Sequence, residues 1–151
     1  MKRGFLLLGL LLCTCGRRAE ESSAPAAEYL KEVQQVLQAL RVLDQQIAQQ
    51  VTSDTLASNQ IVPQIRQEFR PTIARLRERV AGLKPGAGFE AVNRELLDYL
   101  DLRLKAYDLA IQGAQEEKPE LLEEFGRLQI RADAVGRTLE EDLRHARQQH
   151  P

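Results

Sequence analysis

The stretch from Phe89 to Ala114, FEAVNRELLDYLDLRLKAYDLAIQGA, constrains this chain more than any other. Phe89, Val92, Leu96, Leu100, Leu104, Tyr107, Ile111 and Ala114 recur at intervals of three and four. At about 100° per residue, such intervals return to one face of an α-helix. A second seam runs beside the first at Tyr99, Leu102, Ala106, Leu109 and Gly113. Leu102 and Leu109 project nearly opposite Leu100 and Tyr107. A helix that is apolar on two faces needs cover on both, so this one belongs at the centre of a bundle or at an interface.

Three further amphipathic stretches supply the cover. The first runs from about Ala26 to Val51, with a stripe of Tyr29, Val33, Val36, Leu40, Leu43 and Ile47 and with Leu30 and Leu37 on its flank. Its opposite face is largely glutamine. Thr52, Ser53 and Asp54 follow, all good N-cap types. The second begins between Asp54 and Val62 and carries Ile61, Ile65, Phe69, Ile73, Leu76, Val80 and Leu83. Pro63 suits a first helical turn, and Pro71 lies off the stripe, where a proline bends a helix without ending it. Lys84 to Gly88 (KPGAG) reads as a tight turn. After the central helix, Gln115 to Pro119 forms the next turn, with Pro119 at the first position of the last helix. That helix has Leu121, Phe125, Leu128, Ala132, Val135, Leu139 and Leu143 on one face, and Gly126 and Gly136 weaken it by up to about 1 kcal/mol each.

Four such helices with short connections predict an all-α fold, an antiparallel up-down-up-down four-helix bundle. The alternative is a three-helix bundle with one long kinked member. The chain has no Trp and only 5% aromatic residues, and Leu, Ala, Gln, Glu and Arg dominate it, which favours helix over sheet. Its 151 residues suit a single domain. We expect the bundle over residues 28–146, and a frayed tail over 147–151.

The N-terminus carries a different signal. Lys2 and Arg3 precede an uncharged apolar run from Gly4 to Leu12, which is too short to cross about 30 Å of hydrocarbon as a helix. Leu12-Cys13-Thr14-Cys15-Gly16 closes the run. Residues 1–15 resemble the signal peptide of bacterial lipoproteins, with Leu12 in the place of the leucine three residues before the lipidated cysteine. Thr14 fits the small-residue position, whereas Cys13 departs from it. The resemblance implies cleavage before Cys15 and lipidation of that residue. It further implies a bacterial cell envelope location, on the periplasmic face or the cell surface. The alternative is an ordinary secretory signal and a secreted or soluble periplasmic product. Under either reading the mature domain holds no cysteine pair for a disulfide. Residues 16–27 (GRRAEESSAPAA) read as a flexible tether with a span of about 20 Å.

The charge pattern excludes one class of partner. The formal charge is −1, and loss of Lys2 and Arg3 with the first fifteen residues shifts it to −3. Nucleic-acid binding calls for a clustered basic excess. The local excess on the second helix comprises Arg66, Arg70, Arg75, Arg77, Arg79 and Lys84. These arginines flank the apolar stripe on both sides, so they are expected to lay their stems on the core edge. Their partners would be acids on neighbouring helices, among them Asp98, Asp101, Glu116, Glu117, Glu120, Glu123 and Glu124.

No catalytic constellation is visible. His145 and His150 are the only histidines, and Asp142 with His145 makes half of a bundle metal site whose second half is missing. Gly86-Ala87-Gly88 lacks the strand and lysine of a phosphate loop and reads as a turn. No metal, cofactor or nucleic acid is therefore expected. Nearly all acids fall on outer faces, which argues against a carboxylate hydrolase.

The second seam, with Tyr99, Leu102, Ala106 and Leu109, is a candidate interface for self-association or a partner helix, set against wider burial in the same bundle. The functional expectation is a non-catalytic, membrane-anchored helical lipoprotein acting as a binding, adaptor or structural module. The alternative is a carrier of a small apolar ligand or lipid, whose mark would be an internal cavity lined by Tyr99, Tyr107 or Phe69.

Overall fold

The computed structural model describes residues 18–50 and 61–149. Residues 1–15 with Cys15, and Thr52, Ser53 and Asp54, lie outside the described residues. Helix α1 spans Arg18–Gln50. A second helical unit, α2, covers 62–81 as three uninterrupted pieces: Val62–Gln64, a π-helical turn at Ile65–Phe69, and Arg70–Ala81. Helix α3 is Glu90–Glu116 and α4 is Pro119–Gln149. The described residues contain no strand.

Side-chain pairings fix the directions. Tyr29 packs on Phe89 and Asp44 meets Arg103, so α1 and α3 run the same way. Arg70 meets Asp108 and Arg77 meets Asp101, so α2 runs against α3. Gly113 lies against Leu122 and Gly136 against Tyr99, so α4 also runs against α3. The fold is the expected up-down-up-down four-helix bundle, and the three-helix alternative is set aside.

The apolar stripes meet in one core. Val33 and Val36 of α1, Phe69, Ile73 and Val80 of α2, Leu96, Leu100 and Tyr107 of α3, and Ala132 and Leu139 of α4 are all buried. Helix α3 packs against both α2 and α4, most extensively against α4. Its central place follows from its sequence, because it is the helix with apolar residues on more than one face. Gly86 to Phe89 forms the α2–α3 turn, with the Phe89 amide donating to the Gly86 carbonyl at 3.0 Å. At the other end, Glu117 adopts a left-handed φ of 53°, and the Lys118 amide donates to the Gly113 carbonyl at 2.9 Å, which closes α3 just before Pro119 starts α4.

Two boundaries and one internal turn differ from the sequence expectation. Residues 18–27, expected as part of a flexible tether, belong to α1. Helix α4 continues to Gln149, three residues into the expected frayed tail. The third difference is the π turn. Ile61, Ile65, Phe69 and Ile73 are spaced by four, and each such step overshoots an α-helical turn by about 40°. At Ile65–Phe69 the Arg70 amide donates to the Ile65 carbonyl, five residues back, and this wider turn keeps all four side chains buried. Pro71, which has no amide to contribute, sits exposed just after it.

Two glycines of α4 have opposite surroundings. A Cβ at Gly126 would meet nothing within 4 Å, whereas one at Gly136 would lie 3.2 Å from the Tyr99 ring. We expect Gly126→Ala to stabilise the protein by about 1 kcal/mol through helix propensity. Gly136→Ala should gain nothing or lose stability, because the ring has to move. Urea unfolding of the two variants checks the contrast.

Tyr29 offers a second test. Its ring lies 5.6 Å from that of Phe89, and its buried hydroxyl has no hydrogen-bond partner among the described residues. Burial pushes its pKa up from 10.0 to about 12. The folded state therefore holds this proton where the unfolded state has released it, and stability falls as pH rises from 10.0 towards about 12. Tyr29→Phe should be neutral or stabilising by about 1 kcal/mol at pH 7, since it removes an unpaired polar group. Its advantage over wild type should widen above pH 10, as followed by urea unfolding across that range.

Candidate functional site

Among the described residues, the interior holds one charged side chain that the apolar pattern does not announce. Arg103 lies on α3 between Leu102 and Leu104, and only 3% of its surface is exposed. Tyr99 and Tyr107 stand one turn before and after it, so all three share a face. Its guanidinium donates to the Tyr99 hydroxyl at 2.9 Å, the Tyr107 hydroxyl at 3.0 Å and Asp44 Oδ1 of α1 at 2.6 Å. Burial opposes the charge on Arg103, but Tyr107, Tyr99 and Asp44 outweigh it and hold its pKa above the ordinary value. Burial likewise raises the pKa of both tyrosines, and Arg103 works in the opposite direction on each. The tyrosines are therefore neutral acceptors near pH 7, and Asp44, with a side chain 46% exposed, is the counter-ion.

Tyr107 also walls a cavity. A space of about 220 Å³ between α2, α3 and α4 is lined by Ile61, Ile65, Phe69, Tyr107, Phe125 and Gln129. Ile47 of α1 and Gly126 of α4 complete its described lining. A neighbouring space of about 180 Å³ shares Ile61, Ile65, Phe125 and Gly126. The π turn of α2 supplies Ile65 and Phe69. Gln129 reaches the Tyr107 hydroxyl, while its Oε1 atom is buried with no partner among the described residues.

The candidate interface is corrected in part. Tyr99 and Ala106 are buried inside the bundle, Tyr99 beside Gly136 and Ala106 with no exposed surface. Neither forms an exposed contact strip. Leu102 and Leu109 are half-buried. Leu102 lies with Ala134 and Val135 in an open groove rimmed by Asp98, Lys105 and Arg131. The second seam as built runs through Tyr99, Arg103, Ala106, Ala110 and Gly113, all buried. Ala106, Ala110 and Gly113 are small, and α4 comes close at Gly113, whereas Arg103 is accepted through its bonds to Tyr99, Tyr107 and Asp44, so Arg103 and Ala110 take the places that hydrophobicity alone assigns to Leu102 and Leu109. A buried arginine among apolar neighbours is legible in sequence only through its flanking tyrosines at i−4 and i+4.

Three of the six basic residues of the second stretch pair with acids on neighbouring helices, while Arg75 bonds Thr72 of its own helix. Arg70 bonds Asp108, and Arg77 bonds Asp101 at 2.8 Å, both on α3. Arg79, on the other side of the stripe, bonds Glu32 of α1 at 2.6 Å. Asp101 is among the expected acids, whereas Asp108 and Glu32 are not. Glu116 pairs instead with Lys118 and Glu124 with Arg127, both local contacts. His145 is exposed, and no group of three metal-binding side chains occurs among the described residues.

Asp44→Ala should strand the Arg103 charge and cost about 2 kcal/mol, less than a fully buried pair because solvent reaches Asp44. In an Arg103→Met background the same change should cost under about 0.5 kcal/mol. Equal costs in the two backgrounds would show that the pair contributes nothing. Denaturant unfolding of the four proteins measures it.

Comparison of the chain with protein-family models, curated proteins and solved structures gave no match.

Proposed function

We propose that this protein is a non-catalytic, lipid-anchored helical binding module of the bacterial cell envelope. The anchor rests on the order of residues at the N-terminus. Basic Lys2 and Arg3, the apolar run from Gly4 to Leu12, and Leu12-Cys13-Thr14 before Cys15 suit lipoprotein processing. The binding role rests on the cavity between α2, α3 and α4. Phe69 and Tyr107 both line it, which favours carriage of a small apolar ligand over a purely structural bundle. Arg70 and Arg77 of α2 pair with Asp108 and Asp101 of α3, which suits a scaffold.

Labelling with radioactive palmitate in bacterial cells tests the anchor. The wild-type chain should incorporate label and partition into detergent. Cys15→Ala should do neither, while Cys13→Ala should behave as wild type. A water-soluble wild-type product with an unmodified terminus would overturn the anchor.

A further inference from the structure

We propose that two copies of this chain pair antiparallel through the outer groove between α3 and α4, with Asp98 of each copy against Lys105 of the other. The proposal depends neither on the lipid anchor nor on the carrier reading.

The register of the two helices arranges the groove. Its described lining comes from α3 and α4 alone. Gly136 lies against Tyr99, and Gly113 against Leu122. Counted from these contacts, Asp98 lies near the level of Thr138, and Lys105 near that of Arg131. Leu102, Ala134 and Val135 lie between the two levels and form an apolar floor. Asp98 and Lys105 are seven residues apart. Two helical turns separate them, so both stand on the face that carries Leu102, about 10 Å apart along the axis. The groove therefore runs from acid, through hydrocarbon, to base.

The charges at its ends are open. Asp98, Lys105 and Arg131 are exposed, and none is in an ion pair among the described residues. Glu95 adds to the acidic end, whereas Asp101 on the rim is already bonded to Arg77. The other seams of the bundle are closed from within. Arg70 meets Asp108 between α2 and α3, Arg79 meets Glu32 between α2 and α1, and Arg41 meets Glu140 between α1 and α4.

A face with opposite charge at its two ends complements its own copy turned end for end. A two-fold axis across the groove, level with Leu102, lays α3 over α3 in the opposite direction. Asp98 then faces Lys105 of the second copy, and symmetry forms the same pair again. Leu102 sits at the axis and meets its own mate, with Ala134 and Val135 beside it. Ile130, 73% exposed and one turn from Ala134, extends the apolar surface along α4. A parallel pairing would lay acid on acid and base on base, which electrostatics opposes. The axis runs across the bundle from α4 to α3, and α1 lies beside α4 through Arg41 and Glu140. Both copies thus keep α1 on the same side, so two N-terminal anchors can reach one bilayer.

Sedimentation equilibrium of the full chain in density-matched detergent tests the proposal. The wild type should have the mass of two chains at about 100 μM, as a small, partly polar interface requires. Asp98→Lys sets lysine against lysine, and Lys105→Asp sets aspartate against aspartate. Each alone should weaken the dimer at least about tenfold. Mixed in equal amounts, the two variants should recover it, because each supplies at both contacts the charge that the other lacks. A monomeric wild type would overturn the proposal and leave the groove to a different protein. A dimer indifferent to either single change would also overturn it, as would two monomeric variants that fail to pair when mixed. The wild-type dimer should weaken as salt rises, since exposed pairs are screened. Indifference to salt would overturn the charge pairing without any variant.

Discussion

A guanidinium carried into a helical bundle needs partners there, and Arg103 finds three through its terminal nitrogens, while its Nε stays buried with none among the described residues. Tyr99 and Tyr107 supply neutral acceptors from the same helix, and Asp44 supplies charge from α1. Each partner makes a demand of its own. The Tyr99 ring needs a flat patch of α4, which Gly136 provides. Asp44 has to stay close to solvent and still reach inward, which fixes how α1 lies along α3. Tyr107 is held with its ring between the polar cluster and the apolar cavity. Replacing a buried charge by hydrocarbon is often neutral for stability, so a bonded arginine here acts more on specificity than on strength. It favours one rotational setting of α3, because Tyr99 and Tyr107 turn with Arg103 and only one setting brings it to Asp44 of α1.

Ion pairs on the rim play a related but weaker part. Arg70 and Arg77 tie α2 to α3, and Arg79 ties α2 to α1. Exposed pairs of this kind contribute little to stability. Their value lies in register, since a one-turn slide of α2 along α3 would bring Lys105 or Gln112 in place of one of these acids. Apolar packing supplies most of the stability, with Phe69, Leu96, Leu100 and Leu139 near its centre.

The cavity lies where two departures from regular packing coincide. The π turn of α2 widens the helix at Ile65–Phe69, and Gly126 leaves α4 without a side chain opposite it. Such turns recur at binding sites because they redirect side chains without breaking the helix. Here the turn keeps Ile65 and Phe69 pointing inward while α4 offers no side chain of equal bulk at Gly126. An unfilled apolar space costs stability, and a ligand that occupies it regains the lost contacts.

Helix count, helix faces and the order of up and down strokes were legible in the residues, because period-3.6 patterns and turn residues are local properties. The stripes on all four helices, the turn at Gly86 and the start of α4 at Pro119 follow from such rules. The arginines flanking Ile73 and Leu76 also pointed to neighbouring helices for the same reason. What lay beyond the sequence was set by distance in space. A helical wheel ranks Leu102 and Leu109 above Arg103 and Ala110 by hydrophobicity, yet the close approach of α4 favours small side chains, and three partners make the arginine acceptable inside. The 4-4-4 spacing from Ile61 to Ile73 hinted at a wider turn, but only the shared core required one. The cavity is the gap left where the four helices meet. No single helix encodes it, so the tertiary structure alone decided where that space lies and which side chains line it.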